Sequence, residues 1–331
     1  MVVAASLRRF AAWLDSNRRR AAAATLGVTA CPLVNRSSPV RSLCTRAING
    51  SGDPAQDASF PLHASGGVAL ARLRVGMYAQ DTTFSTPPSV QRAVREAAQL
   101  LRSAGVEMVE WTPPDPRRAE ELLCGIFTSG ARLYKELLAD DVRDPRVAQL
   151  ITLSSLSHPT TGFLGGLLRA FGQRALGRGL ALFGRRSTEA YWQLTEAVHD
   201  YRREFQHALE NGPAGRLDAF LSPATGLPAL PHGASKELGV IGAYTLLHNV
   251  LGWPAGVVPV TRVRDDEQSA RSPDSDLVEK AAAKAERETA GLSLSVQLSA
   301  PHWREHIVLA LMRAVQDGAR RFPGYPGRAP M

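Results

Sequence analysis

The stretch YTLLHNVLGWPAGVVPV, residues 244–260, carries the strongest local indication of the fold. Its first half is typical of a helix, and its second half is a valine-rich run typical of a strand. Gly252 can adopt the left-handed backbone conformation that ends a helix, and Pro254 cannot continue one. The stretch therefore predicts a helix, a sharp stop and a strand.

Strands and helices alternate along the rest of the chain. A strand at 72–78, a helix at 89–105 and a strand at 106–111 form a βαβ-like unit, which favours parallel pairing with a right-handed crossover. Further strands are predicted at 217–223 and 292–299, one or two helices at 116–141, and further helices at 187–212, 277–288 and 302–321. The predicted fold class is therefore α/β, with a mixed or parallel sheet flanked by helices.

The first 70 residues have the composition of a basic tail and linker. Residues 1–52 contain eight arginines and one acid, Asp15. NGSGDPAQDAS, residues 49–59, has the composition of turns and irregular coil. A composition rich in arginine and poor in acids is typical of organellar transit peptides, and equally of an unstructured tail. We expect 1–70 to be a disordered basic tail, with mitochondrial targeting as the alternative, and 71–325 to form the folded domain.

The sequence predicts no cofactor and no nucleic-acid partner. The turn after the first strand, AQDTTFSTPP, lacks the glycines that cradle a dinucleotide phosphate. Cys31, Cys44 and Cys124 show neither a disulfide framework nor metal-ligand spacing. The net charge of +8 is concentrated in two segments instead of spreading over one face with interleaved aromatics, so nucleic-acid binding is not expected.

HWREH, residues 302–306, is the motif that suggests a metal. It matches the H-x-x-E-H pattern of inverted zinc proteases, in which His302 and His306 would chelate zinc from one helical face and Glu305 would act as base. Asp317 is the only acid after Glu305. We keep a zinc peptidase as a remote alternative, and the plainer interpretation is a helix start with incidental histidines.

A basic and apolar segment, FLGGLLRAFGQRALGRGLALFGRR, occupies residues 163–186. Residues 145–188 contain six arginines and no acid. The solvent-exposed face of this segment therefore lacks the mixture of positive and negative charges that is usual for a helix of a globular protein. The pattern predicts two short helices, weakened at Gly177 and Gly179, with apolar faces edged by arginines. Such a hairpin suits the interface plane of an anionic membrane, and the alternative is a hairpin packed on the protein body. The predicted membrane-binding residues are Leu164, Leu167, Leu168, Phe171, Leu176, Leu180, Arg169, Arg174 and Arg178.

The pattern T-x-x-x-N-x-x-G-x-P-A-x-x-x-P within residues 245–259 resembles the amidase-signature hydrolases. Its family-motif residues here are Asn249, Gly252, Pro254 and Pro259, together with Thr245 and Ala255. RVGMYAQDTTFSTPPSVQRAV, DAFLSPATGLPA and AGLSLSVQLSAPHWREHIVLALMR extend the likeness in matching order. The span from about Leu73 to Phe322 resembles the C-terminal half of the fatty-acid amide hydrolases, although Ser293 replaces the proline of the family's G-L-P segment.

The resemblance implies a partial amidase-signature fold with the segment 150–186 as its membrane-cap hairpin. The family cleaves amides with a lysine, a bridging serine and a serine nucleophile, all of which lie upstream of the matched half. The first lysine here is Lys135, so we expect no catalytic residues in this chain and no activity on its own. The resemblance also implies that four apolar side chains lie near a substrate acyl chain: Phe127, Val147, Leu150 and Phe183.

The predicted partners follow from this resemblance. They are fatty amide lipids, an anionic membrane surface, and either a second copy of the chain or a full-length amidase subunit. We expect a peripheral, monotopic location on intracellular membranes such as the endoplasmic reticulum. The alternative function is a non-catalytic lipid-binding or regulatory partner of full-length amidase subunits.

Overall fold

The computed structural model describes residues 63–138, 145–268, 271, 274–322 and 324–326. Most of the predicted basic tail, residues 1–62, lies outside the described residues. The end of that predicted tail is folded, because 3-10 helices occupy Ser65–Gly67 and Leu70–Arg72. Val68 and Leu70 pack against the core, so the folded domain begins earlier than predicted.

A five-stranded mixed sheet organises the described part of the chain. Its strands are β1 (Arg74–Met77), β2 (Glu107–Glu110), β3 (Ala219–Pro223), β4 (Ala255–Arg262) and β5 (Ser293–Ser299). The strand order is β2-β1-β3-β5-β4. β1 pairs in parallel with β2, as the βαβ-like pattern predicted, and also with β3, whereas β5 pairs antiparallel with β3 and β4. The sheet is therefore parallel at one end and antiparallel at the other.

Helices cover both faces of this sheet. In chain order they are α1 (Pro88–Ser103), α2 (Pro116–Ser129), α3 (Ala131–Leu137), α4 (Pro145–Ser155), α5 (His158–Ala170), α6 (Arg174–Leu182), α7 (Thr188–Asn211), α8 (Ala243–Leu251), α9 (Leu277–Ala285) and α10 (Glu305–Ala319). The segment 116–141, predicted as one or two helices, contains two, and Gly130 separates α2 from α3. The order of layers is helices, sheet, helices, which confirms the α/β class.

The two sides of the sheet bury different kinds of side chain. On one side, aliphatic residues of β1, β3, β4 and β5 pack against α1 and α10. On the other side, an aromatic cluster of Trp111, Phe205, Phe220 and Trp253 packs beneath α2, α7 and α8. Burial of large aromatic side chains contributes heavily to folding free energy, so this second core anchors α8 on the sheet.

The second helical layer stops short of the β4 edge. The strand register aligns Ser222 of β3, Gln297 of β5 and Val257 of β4 in one row across the sheet. Ser222 is fully buried and Gln297 is nearly so, but the side chain of Val257 is 41% exposed. This face of the sheet is therefore open at its β4 edge, beside the last turn of α8.

Candidate functional site

The predicted helix, stop and strand at 244–260 form the wall of a cavity. α8 ends at Gly252, whose φ of +67° is left-handed and whose N–H donates to the carbonyl of His248 at 3.0 Å. The buried Pro254 accepts hydrogen bonds on its carbonyl from Ser299 at 3.0 Å and Ala300 at 3.2 Å. These contacts direct the chain from the end of α8 straight into β4.

The family-motif residues have distinct places in this unit. Asn249 is exposed in the last turn of α8 and lines the cavity. Pro259 lies in β4 just before the irregularity of its pairing with β5. β4 is an edge strand, where a residue without an N–H is tolerated. Gly252 and Pro254 therefore shape the turn, whereas Asn249 faces the space beside it.

We call this space the sheet-edge cavity. It has a volume of about 340 Å³ and lies between α8, the segment after β3, and the open face of β4 and β5. Its apolar lining includes Leu227, Trp253 and Val257, and its polar lining includes Thr245, His248, Asn249, Ser295 and Gln297. The cavity lies within the size range of small-molecule sites, and it mixes apolar walls with a few polar groups as those sites do.

His248 is the buried titratable group of the cavity wall. Its side chain is 4% exposed, and its ring stacks on Phe220 with centroids 5.2 Å apart. Burial lowers the pKa of His248 to about 3, because a charged imidazolium would lose its hydration. The ring is therefore neutral at physiological pH.

Ser222 and His248 form the serine–histidine contact that sequence reasoning did not foresee. Ser222 Oγ lies 3.5 Å from His248 Nε2, and it also donates to the carbonyl of Pro223 at 3.3 Å. The serine is fully buried, and His248 Nδ1 has no protein hydrogen-bond partner to orient the ring. A nucleophile needs access to substrate and an oriented base, so this pair does not form a working catalytic dyad.

The structure does not arrange HWREH as the remote zinc alternative requires. α10 begins at Glu305, so His302 precedes the helix and is not one helical turn from His306. The ring of His302 faces Trp253 at 6.5 Å, whereas the ring of His306 faces His63 at 5.0 Å. Within the residues that the structure describes, no group of three potential ligands is arranged to hold a metal.

The basic segment forms the predicted pair of helices, α5 and α6, but the break lies elsewhere. The turn runs through Gly172, which has a φ of +83°, whereas Gly177 and Gly179 lie inside α6. Gly177 and Gly165 meet where the two helices cross. A Cβ on either would lie closer than 3.0 Å to the carbonyl oxygen of the other. The glycine at 177 therefore permits close helix packing and does not end the helix.

A row of apolar side chains on α5 faces outward. Phe163, Leu167 and Phe171, spaced four residues apart, are 73%, 47% and 76% exposed, and Leu164 beside them is 37% exposed. Phe163 was missed by sequence reasoning, although its spacing from Leu167 could have revealed it. Of the structure's described helices, none is long and apolar enough to cross a bilayer.

Other predicted membrane residues are placed differently. Leu168 and Leu180 are half-buried, and Leu176 packs against the aromatic core. Arg169 and Arg174 are exposed, but Arg178 is half-buried and donates to the carbonyl of Thr83. The face of α6 that carries Leu176 and Arg178 therefore packs on the body, as the alternative interpretation of the hairpin proposed. This differs from the prediction because contact with the body, which sequence spacing does not reveal, selects the buried face.

The predicted acyl-chain residues lie on adjoining helices. Phe127 of α2 and Leu150 of α4 are 55% and 52% exposed, and Val147 of α4 is also exposed. Phe183 is half-buried directly after α6. α2 contacts both α4 and α6, so the helices that carry Phe127, Val147 and Leu150 adjoin each other and the helix that precedes Phe183.

Comparisons with known proteins agree on one family. The Amidase family profile matches residues 37–309. Fatty-acid amide hydrolase 1 of Sus scrofa is 32% identical over 251 residues, covering 74% of this chain and 42% of the relative. Fatty acid amide hydrolase 1 of Caenorhabditis elegans is 30% identical over 263 residues, covering 74% of this chain and 43% of the relative.

Solved structures show the same fold. A fatty acid amide hydrolase structure superposes with a TM-score of 0.63 at 17% identity, covering 86% of this chain and 47% of that one. A 6-aminohexanoate cyclic dimer hydrolase superposes with a TM-score of 0.54 at 16% identity, over 86% of this chain and 53% of that one. The chain spans less than half the length of the two curated relatives. With the profile match extending over most of its residues, the chain belongs to the amidase-signature family.

Proposed function

We propose that this chain is the lipid-facing portion of an amidase of the fatty-acid amide hydrolase type. In this proposal α5 and α6 dock on an anionic intracellular membrane as a monotopic hairpin. The surface of Phe127, Val147, Leu150 and Phe183 receives the acyl chain of a fatty amide. The chain does not cleave the amide by itself. The names of its curated relatives support the substrate class.

The observation that carries the proposal is the exposed apolar row of α5. Folded soluble domains rarely expose large contiguous apolar patches unless a partner or a membrane covers them. Phe163 and Phe171 are each about three-quarters exposed, although aromatic side chains favour burial. Arg169 and Arg174 are also exposed on the hairpin, and residues 145–188 contain no acid to repel anionic lipid. This combination is typical of interfacial helices.

The hairpin is held in a defined orientation for such docking. Asp276 caps the start of α9 by accepting from the N–H of Val278 at 2.8 Å, and its second oxygen accepts from the N–H of Ala175 at 2.7 Å. Gln173 Oε1 accepts from the N–H of Leu277 at 2.8 Å. At the base of the hairpin, the N–H of Arg185 donates to the carbonyl of Leu156 at 2.6 Å. These bonds tie the start of α6 to α9 and close the base of the hairpin, while the row on α5 stays exposed.

Liposome flotation tests the proposal. Wild-type protein is expected to float with phosphatidylserine-containing vesicles, and the Phe163→Ser/Phe171→Ser variant is expected to bind at least about ten-fold more weakly. Burying one aromatic side chain contributes about 2 kcal/mol, and a ten-fold change corresponds to about 1.4 kcal/mol. Phe322→Ser is the matched control, because Phe322 is 54% exposed but lies after α10.

A double charge-reversal variant, tested on two kinds of vesicle, separates the apolar from the electrostatic contribution to membrane binding. Arg169→Glu/Arg174→Glu should weaken binding to anionic vesicles and leave the weaker binding to phosphatidylcholine vesicles almost unchanged. Absence of flotation for the wild type would refute membrane docking. Equal loss in Phe322→Ser and in the α5 double variant would show that the effect is not specific to the hairpin.

A further inference from the structure

We propose that a second cavity, beside the turn of the hairpin, binds a phosphoester that also carries a primary ammonium group. This hairpin-turn cavity has a volume of about 300 Å³. It lies between residues 80–85 after β1, Arg117 of α2, the first turn of α6 and the start of α9. In this assignment Arg117 and Arg174 hold the phosphate, with Arg178 beside them, and Asp274 holds the ammonium group.

Backbone carbonyls bring two guanidinium groups together at one wall of this cavity. Arg117 Nε donates to the carbonyl of Thr82 at 2.7 Å, and Arg178 Nη2 donates to the carbonyl of Thr83. Successive Cα atoms are only about 3.8 Å apart, so both positive charges are held beside the same short segment. Arg174 lies one helical turn before Arg178 on α6 and also lines the cavity. Three like charges therefore converge on one space.

None of these three arginines forms an ion pair with an acid in the part of the chain that is described. The buried Glu120 interacts electrostatically with Arg178 and Arg117, and so offsets one of the three positive charges. Two positive charges remain, on guanidinium groups whose forked N–H donors match the oxygens of a phosphate. A phosphate monoester carries a charge of about −1.5 to −2 at pH 7, which balances them.

The start of α9 supplies an acidic wall. Asp276 accepts from the N–H of Ala175 on α6 at 2.7 Å, and its own N–H donates to Asp274 Oδ1 at 2.9 Å. Asp276 is buried, and each of its oxygens already accepts a backbone N–H. Asp274 is exposed, and its second oxygen has no partner among the described residues. Asp274 therefore has a free acceptor for a ligand.

Protein groups already engage the other two acids that line the cavity. Glu279 pairs with Arg271 at 2.7 Å, and Asp81 accepts from the N–H and the hydroxyl of Thr83. A ligand with both charges satisfies the arginines and Asp274 together, whereas a simple anion leaves Asp274 unpaired. The carboxylate of Asp274 accepts hydrogen bonds from a primary ammonium, but a trimethylammonium group has no N–H to donate.

Three small phosphoesters test this specificity, because they share a phosphate and differ in the cationic group. Calorimetric titration of the full chain at neutral pH should show saturable binding of phosphoethanolamine. Phosphocholine has no ammonium N–H, and ethyl phosphate has no cation. Each should bind about ten-fold more weakly than phosphoethanolamine, as loss of a charge-assisted hydrogen bond predicts.

Two substitutions at exposed side chains separate the two ends of the ligand. Arg117→Gln should weaken the binding of phosphoethanolamine and of ethyl phosphate alike, by about ten-fold, because it removes a phosphate contact. Asp274→Asn should weaken phosphoethanolamine by a similar factor and should not weaken ethyl phosphate, which has no ammonium group. Arg95→Gln on α1 and Asp266→Asn after β4 are the matched controls, since both residues are exposed and neither lines the cavity.

Vesicles distinguish a lipid headgroup from a soluble phosphoester as the source of the ligand. If the ligand is a headgroup, adding phosphatidylethanolamine to phosphatidylcholine vesicles should increase flotation of wild type but not of Asp274→Asn. Soluble phosphoethanolamine should then compete with the vesicles. Saturable binding of phosphoethanolamine without that increase would support the site and assign it to a soluble phosphoester.

Three results would each overturn the proposal: no saturation at millimolar phosphoethanolamine, equal affinity for phosphocholine, or equal affinity of Arg117→Gln and wild type. The titrations use a soluble ligand and side chains that the membrane-docking test leaves unaltered. Failure of wild type to float with phosphatidylserine vesicles would therefore leave this inference intact.

Discussion

At the scale of single residues, Glu120 and Arg178 show how the hairpin is coupled to the body. Glu120 of α2 is 5% exposed, and burial raises the pKa of its carboxyl to about 6. The charge of Arg178 on α6 acts in the opposite direction and lowers that pKa, while Asp81 raises it. The arginine that sequence reasoning assigned to lipid headgroups therefore stabilises a buried carboxylate of the body.

This environment predicts the effect of Glu120→Gln. A folded-state pKa above the unfolded value means that the folded protein binds the proton more tightly. In wild type, this tighter proton binding by Glu120 contributes to the free energy of unfolding. The contribution is fully present below the unfolded-state pKa of 4.5 and is lost as the pH rises through the folded-state pKa of about 6. At pH 7 the neutral glutamine should make the protein more stable than wild type, by up to about 2 kcal/mol.

Urea unfolding of both proteins at pH 7 and pH 4 measures this difference. The gain in Glu120→Gln should be present at pH 7 and should vanish at pH 4, where the wild-type carboxyl is protonated. Other titrating groups are common to both proteins and cancel in the comparison. A variant that is less stable than wild type at pH 7 would show that the carboxylate of Glu120 makes a net favourable interaction.

At the scale of elements, the α5–α6 hairpin depends on a glycine crossing. A Cβ at Gly165 would collide with the backbone of Gly177, whereas a Cβ at Gly162, three residues earlier in α5, would meet nothing within 4 Å. Alanine normally stabilises a helix relative to glycine by about 0.5–1 kcal/mol, because it loses less conformational entropy. The same substitution should therefore have opposite effects at the two positions.

Gly162→Ala is expected to stabilise α5, and Gly165→Ala to destabilise the hairpin by about 1–3 kcal/mol through overpacking. Hydrogen–deuterium exchange across residues 158–182 measures both effects. Slower exchange in Gly162→Ala and faster exchange in Gly165→Ala are the predicted outcomes. Equal behaviour of the two variants would mean that α5 and α6 do not approach as closely as the structure indicates.

At the scale of the whole molecule, the sheet and the hairpin present two surfaces with different chemistry. The hairpin exposes an apolar row beside arginines, whereas the β4 edge opens into a neutral, polar-lined cavity. Neither surface brings an accessible nucleophile beside a base in the part of the chain that is described. Ser222 has the required histidine neighbour, but it is fully buried.

A fluorophosphonate activity probe should therefore leave the purified chain unlabelled, and a fluorogenic fatty amide should not be hydrolysed. A buried serine with a weakly basic histidine cannot attack a substrate carbonyl. Ser222→Ala provides the control for any residual signal. Labelling of wild type that disappears in Ser222→Ala would contradict the proposed inactivity and would identify Ser222 as the nucleophile.

Local sequence patterns and family motifs were enough to predict several features of the fold correctly. Gly252 and Pro254 stop α8 and start β4, and the βαβ-like pattern at 72–111 gives the observed parallel pair. The order of the family's motifs identified the fold. The basic segment was recognised as two helices, because alternation of apolar and arginine residues follows the helical repeat. Apart from the motif order, these features depend on interactions between residues that are near in sequence.

Contacts between residues distant in sequence determined the features that the sequence did not predict. His248 and Gln297 reach one cavity because β5 pairs beside β3, and no local pattern encodes that strand order. Arg178 faces Thr83, and Leu176 faces the core, because α6 rests on the body with that side inward. The start of α10 after His302 likewise separates two histidines that a linear motif had joined. Propensity and spacing act over a few residues, whereas burial and strand order depend on contacts across the whole chain.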